Sequence, residues 1–104
     1  MFAGNASVQR FVLNNLVIGS IGAAGSLEVS VDVTGTPLVV GSVGIAIPRA
    51  AMTGGVGINP VRVTDTNTLT LQFVNGSAAA IDPADTFDFD VFLFTPTGQA
   101  QQTI

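Results

Sequence analysis

Thr86-Phe87-Asp88-Phe89-Asp90-Val91-Phe92-Leu93-Phe94 is the stretch from which the fold is read. Phe87, Phe89, Val91 and Leu93 recur at every second position, the period of a strand whose side chains alternate between two faces. They form one continuous apolar face. The opposite face begins with Asp88 and Asp90 and then changes to Phe92 and Phe94. Half of that second face suits water and half does not. Pro96 and Gly98 end the strand, and residues 99–104 read as a tail.

The same period recurs upstream. In residues 27–34, Leu27, Val29, Val31 and Val33 alternate with Glu28, Ser30, Asp32 and Thr34, which predicts a strand with one face in a core and one in water. Gly35, Thr36 and Pro37 turn the chain. A shorter strand is expected over residues 38–43, with Gly41 marking a bulge or close approach. Residues 44–47 alternate small and branched side chains until Pro48, and the glycines of residues 49–60 mark a loop. Residues 61–64 form a short strand closed by the turn Asp65-Thr66-Asn67. In residues 68–74, Leu69, Leu71 and Phe73 line one face and Thr68, Thr70 and Gln72 the other. Asn75-Gly76 has the composition of a turn whose residues tolerate positive φ. Residues 78–80 suit a brief helical turn before Asp82-Pro83.

Residues 1–25 lack clean alternation. Val8, Phe11, Val12 and Leu16 have the spacing of an amphipathic helix, but the asparagines and β-branched residues favour an extended arm or an edge strand. Short strands separated by turn chemistry predict an all-β chain, an antiparallel β-sandwich or jelly-roll-like single domain. The expected organisation is an N-terminal arm or edge segment over 1–25, the sandwich over 26–98 and the tail. A chain of 104 residues is one domain that buries a modest core without disulfides or metal.

Only 10% of residues are charged, against about 25% in an average globular protein. Thr, Ser, Asn, Gln, Gly and Ala must cover the surface, so some apolar surface is expected to await a partner. Arg10, Arg49 and Arg62 are the only basic residues in a chain of net charge −4. Three scattered arginines do not make a nucleic-acid surface or a basic membrane patch. Asn14 and Asn15 interrupt the apolar stretch 11–18, and no basic region precedes it. It is a poor signal peptide and too short to span a bilayer, so the chain is expected to be made and kept without export.

His, Cys, Lys and Tyr are absent or, for Lys, unrepresented among the three basic residues. Carboxylates are then the only general acids or bases, no Ser-His-Asp set can be assembled, and no enzyme activity or cofactor is expected. Asp82, Asp85, Asp88 and Asp90 are the calcium candidates, since calcium prefers oxygen ligands. Their spacing matches no EF-hand loop, however, and turn and strand-face roles explain them without metal. Gly54-Gly55-Val56-Gly57 is followed by Pro60 rather than by a helix, so it is not a phosphate loop. The alternating Thr64, Thr66, Thr68 and Thr70 cross a turn and read as a polar strand face. Interface candidates are Phe2, Phe11, Leu13 and Leu16 near the N-terminus and Phe92 and Phe94 on the last strand. Phe92 and Phe94 read equally as subunit anchors or as a strand face covered locally.

Val61-Arg62-Val63-Thr64-Asp65-Thr66-Asn67-Thr68-Leu69, Leu71-Gln72-Phe73-Val74-Asn75 and Ala79-Ala80-Ile81-Asp82-Pro83, leading into the last strand, resemble small structural proteins of tailed bacteriophages. With the strand at 27–33 and the segment 35–43, the resemblance covers roughly residues 26 to 95. The family's Asn-Pro-Thr turn is here Asn75-Gly76-Ser77. The resemblance implies a β-sandwich capsid decoration, or cement, protein on the exterior of an icosahedral head. Such a protein is commonly a homotrimer, binds the major capsid protein and is assembled in the host cytoplasm. The alternatives are a tail, fibre or spike component, or a carbohydrate-binding β-sandwich module, which the absence of Trp and Tyr disfavours.

Overall fold

The computed structural model describes residues 6–33, 35, 38–83 and 86–96. Among the described residues seven strands form: β1 (Ala6–Val17), β2 (Ser26–Asp32), β3 (Val43–Pro48), β4 (Val56–Ile58), β5 (Val61–Asp65), β6 (Thr68–Asn75) and β7 (Thr86–Pro96). No helix occurs among the described residues. All strands belong to one sheet in the order β1-β7-β3-β5-β6-β2, with β4 also on β6, and every pairing is antiparallel. The all-β antiparallel expectation holds. Where the sandwich expectation had two layers, the strands make one curled sheet, a half-barrel.

The curl follows from one seam and one contact. β3 pairs with β7 over six residue pairs but with β5 over two, Val43↔Arg62 and Gly44↔Val61. Phe73 of β6 and Phe89 of β7 stack with ring centroids 5.9 Å apart and planes at 53°. In a flat sheet these strands would lie three spacings, roughly 14 Å, apart. The sheet therefore bends at the seam until its inner faces meet. β7, between β1 and β3, contributes Phe89, Val91 and Leu93 to the core, and β6 contributes Leu69, Leu71 and Phe73, all fully buried. These are the apolar faces that the two-residue period predicted.

Gly44 lies where β3 meets both of its neighbours. It pairs with Leu93 on one side and Val61 on the other, and a Cβ there would overlap the carbonyl oxygen of Phe92 and lie 3.0 Å from Leu93 Cα. Both obstacles are backbone, so nothing flexible can move aside.

One end of the half-barrel is closed by residues 18–25 and 75–81. Ile18 and Ile21 are buried, and Ile21 forms an isolated bridge with Ile81. Asn75, 3% exposed, holds the closure together. Its Nδ2 donates to the carbonyls of Ile21 (3.1 Å), Gly22 (3.1 Å) and Ala79 (2.8 Å). Its Oδ1 accepts from Ser77 N (2.9 Å) and Ser77 Oγ (2.7 Å). Neither Asn75 nor Gly76 takes positive φ. The dipeptide is a strand end whose side chain knits three segments, not the turn its composition suggested.

Other boundaries shift for physical reasons. Residues 38–42 are a turn rather than a strand, with Ser42 N donating to Val39 O (3.1 Å) and Gly41 at φ 95°. Residues 49–60 contain β4, which lies end to end with β5 along one edge of β6. Asn59 N donates to Gln72 O (2.9 Å) and continues that ladder. Residues 78–80 form no helical turn. Residues 6–17 are an edge strand paired along β7, with a bulge between Leu13 and Leu16, and the helical alternative does not form. Residues 1–5 of the expected arm, Thr36 and Pro37 of the turn, and the 99–104 tail lie outside the described residues.

Gly44→Ala is expected to lower stability by about 1–3 kcal/mol, the usual cost of overpacking. Gly54→Ala, where an added Cβ meets nothing within 4 Å, should stay within about 0.5 kcal/mol of the parent. Urea denaturation midpoints check both. Asn75→Ala removes the carboxamide that links the three segments, while the carbonyls of Ile21, Gly22 and Ala79 keep Ile81 N, Gly25 N and Ser77 Oγ as donors; it is expected to cost about 1–3 kcal/mol by the same measurement.

Candidate functional site: the outer face of the sheet

Curling turns one face inward and leaves the other to define what the protein can touch. Residues directly opposite one another in an antiparallel ladder share a face, so the register assigns the outer face residue by residue. On β1, β7 and β3 it carries Val8 and Arg10, Val12, Asp90, Phe92 and Phe94, then Val43, Ile45 and Ile47. On β5, β6 and β2 it carries Arg62, then Thr70, Gln72 and Val74, then Ser26, Glu28, Ser30 and Asp32. One half is apolar and the other polar.

β3 shows the division most sharply. Its inward positions hold Gly44 and Ala46, whereas its outward positions hold Val43, Ile45 and Ile47, exposed by 52%, 47% and 46%. A strand whose only apolar contact were the internal core would place its large side chains inward. Val12 and the turn residues Val39 and Val40 are also exposed, while Phe92 and Phe94 are half-buried on the same face.

Polar chemistry on this half is gathered at one end. Asp90 accepts from Arg10 Nη2 (2.7 Å), from Arg49 Nη2 (2.9 Å) and from Arg49 Nε (3.2 Å). The arginines come from β1 and from the residue after β3, so Asp90 ties both neighbours to β7. Hydrogen bonds from Arg49 and then Arg10 hold its carboxyl down, at about 2 against an ordinary 3.8, and the Arg49 guanidinium is raised by the same contact. Asp88 Oδ1 accepts from Asn15 N (2.8 Å), in the bulge where Asn15 takes φ 57°.

The calcium candidates therefore separate. Asp88 and Asp90 are engaged by Asn15 and the arginines, Asp82 is exposed, and Asp85 lies outside the described residues. Among the described residues no group of three or more His, Cys, Asp or Glu is placed to hold a metal ion. Asp65 Oδ1 accepts from Asn67 N (3.1 Å), an ordinary Asx turn. Of the interface candidates, Phe11, Leu13 and Leu16 pack against the core from β1. They are partly buried at the inward positions of the register, and Val8 and Val12 occupy the outward positions. Phe92 and Phe94 do lie on the outer face, and Phe2 lies outside the described residues. Sequence reasoning treated the arginines as scattered and missed the contacts of Arg10 and Arg49 with Asp90. It also missed Val43, Ile45 and Ile47, whose signal was the small-in, large-out alternation of residues 43–47.

The polar half holds a shallow depression of about 80 Å³ lined by Glu28, Asn59, Pro60, Arg62, Thr70 and Gln72. Compared with known proteins, the chain matches no protein family, no curated protein and no solved structure.

The depressed value of Asp90 fixes a pH dependence. Its carboxylate contributes stability that is complete above about pH 4, the unfolded range, and that fades as pH falls through about 2. Both arginine side chains are substantially exposed, so water screens the contribution and added salt should shrink it. Asp90→Asn is expected to flatten the decline of the urea midpoint between pH 4 and pH 2. An unchanged slope would show that Asp90 is not linked to folding.

Proposed function

We propose that this chain is a structural virion protein, a capsid decoration or cement protein on the outside of an icosahedral phage head. The observation that carries the reading is the divided outer face, a sheet surface with large apolar side chains outward on one half and Arg10 and Arg49 paired with Asp90 at one end of it. Such a surface is built for contact with other subunits, and burying it desolvates few unpaired ions. The resemblance of residues 61–94 to tailed-phage proteins supplies the biological setting. It also supplies the expectation of a homotrimer that contacts the major capsid protein and is assembled in the host cytoplasm, while the scarcity of basic residues speaks for neither a nucleic-acid nor a membrane partner. On this reading the half-barrel serves as the family's sandwich or jelly-roll body, and the chain is no enzyme.

Several weak contacts repeated around a symmetric oligomer make attachment effectively permanent, because each later contact forms at high effective concentration. A subunit that bridges capsomer seams in this way resists the outward pressure of a packaged genome. The role asks for rigidity and surface area rather than for chemistry.

β1 supplies core side chains as well as an edge, so deleting residues 1–24 would damage the fold along with any arm. A cryo-EM map of the parent particle tests the reading without altering the chain. Density for this fold on the outer head surface, between capsomers, is expected. Density confined to the tail, fibre or spike would overturn the head assignment.

A further inference from the structure

We propose that the Asn75-Gly76 peptide is a modification site, a self-deamidating asparagine that β4 holds shut and that, once converted, keeps the closed end of the half-barrel from re-forming. It is the only Asn-Gly pair in the chain. Glycine leaves its amide nitrogen free of the side-chain bulk that hinders attack on the preceding carboxamide. The chemistry needs only water and hydroxide. Hydroxide takes the Gly76 amide proton, the nitrogen bonds to Asn75 Cγ, and the Cγ–Nδ2 bond breaks, its nitrogen leaving as ammonia with a proton from water. Water then opens the cyclic imide at either carbonyl, giving aspartate or its β-linked isomer.

The fold arms one side of this reaction and blocks the other. Asn75 Oδ1, where negative charge gathers during attack, already accepts from Ser77 N (2.9 Å) and Ser77 Oγ (2.7 Å), and paired donors of this kind stabilise an oxyanion. The nucleophile is withheld. Gly76 N donates to Gly55 O (2.9 Å), so the proton that hydroxide must remove is engaged. Nδ2 is tied to the carbonyls of Ile21, Gly22 and Ala79. The guard is therefore the carbonyl of the residue just before β4. That strand has three residues, and its ladder with β6 begins at Val56↔Asn75. So short an element opens at low free energy. Its lifting releases Gly76 N while the ladders of β6 with β2 and β5 remain.

Conversion is a one-way step. A carboxylate accepts hydrogen bonds and does not donate them, so at this position it meets the carbonyls of Ile21, Gly22 and Ala79 with charge in place of N–H groups. Asn75 is 3% exposed, and an unpaired buried charge is driven toward water. The β-linked isomer also inserts a methylene into the main chain at the end of β6. Either product stops this side chain from joining 18–25 to 75–81. A transient opening is thereby recorded as a permanent one.

Peptide mapping by mass spectrometry, on the full chain held in mildly alkaline buffer, follows the amide-to-acid conversion at residue 75. In the folded chain it is expected to run at least about tenfold slower than in the same chain unfolded by guanidinium chloride, the factor for a modest local opening. Below the unfolding transition, added guanidinium chloride should raise the conversion and the hydrogen exchange of the Gly76 amide in parallel, because both wait for separation from Gly55. The converted chain, isolated by its added negative charge, should unfold at a lower urea midpoint than the parent. Equal conversion rates in the folded and unfolded chains overturn the gate, and so does a folded-state rate that stays flat while Gly76 exchange rises. A converted chain that keeps the parent's midpoint overturns the one-way step.

Discussion

The contact between Phe73 and Phe89, 5.9 Å apart across strands that are not neighbours in the sheet, is the constraint on which the rest depends. A single antiparallel sheet of this size has no core until it folds over, because each strand can bury only one face. Bringing β6 and β7 face to face converts six strand faces into one apolar interior. The bend has to occur where the sheet is weakest, and the two-pair seam between β3 and β5 is that place. On the other side of β3, Gly44 lets the backbones of β3 and β7 approach more closely than any side chain allows. The closed end is a consequence of the same curvature. Once the halves face each other, the connections 18–25 and 75–81 meet across the opening, and the Asn75 carboxamide adds hydrogen bonds from the end of β6 to both of them.

Curvature also explains why the outer face matters. A residue whose backbone lies hard against β7 cannot also contribute bulk to the core, and β3 carries Gly44 and Ala46 on its inward side. Its large residues lie outward, where the core gains nothing from them. Volume lost inside at Gly44 and Ala46 is supplied by Phe89 and Phe73 from the middle strands. The outward Val43, Ile45 and Ile47 answer a different demand, one that internal packing does not make.

Much of this was legible in the sequence, and the reasons for the rest are physical. Alternation in residues 27–33, 68–74 and 86–94 revealed β2, β6 and β7 with their buried faces, because a two-residue period is a local property. β1 was obscured by Asn14 and Asn15, which break its period at a bulge that only the pairing with β7 rationalises. β4 hid among glycines, since three residues leave no period to detect. The Asn75-Gly76 pair misled because composition reports what a turn tolerates, while the Asn75 carboxamide is fixed by carbonyls far away in sequence. Register was the missing quantity for the outer face. The half-wet, half-apolar character of β7 was visible in Asp88 and Asp90 against Phe92 and Phe94. Which neighbours extend each half could be known only once Ile45 stood opposite Phe92 and Arg10 beside Asp90.

The cluster around Asp90 shows how a sparsely charged chain keeps one surface dry and another wet. With ten charged residues in all, each placement sets the character of its surroundings. Two arginines on one aspartate, from the strands on either side of β7, spend most of the chain's positive charge in one exposed corner. A lone exposed ion pair adds little to stability. Its larger effect here is on what the surface presents: beside the apolar residues the charges of Arg10, Arg49, Asp88 and Asp90 gather at one end, and two of each sign leave no net charge there. The three side chains that join β1 and the end of β3 to β7 thereby hold most of that charge at one end of the outer face and leave Val43, Ile45 and Phe92 beside one another without charge between them.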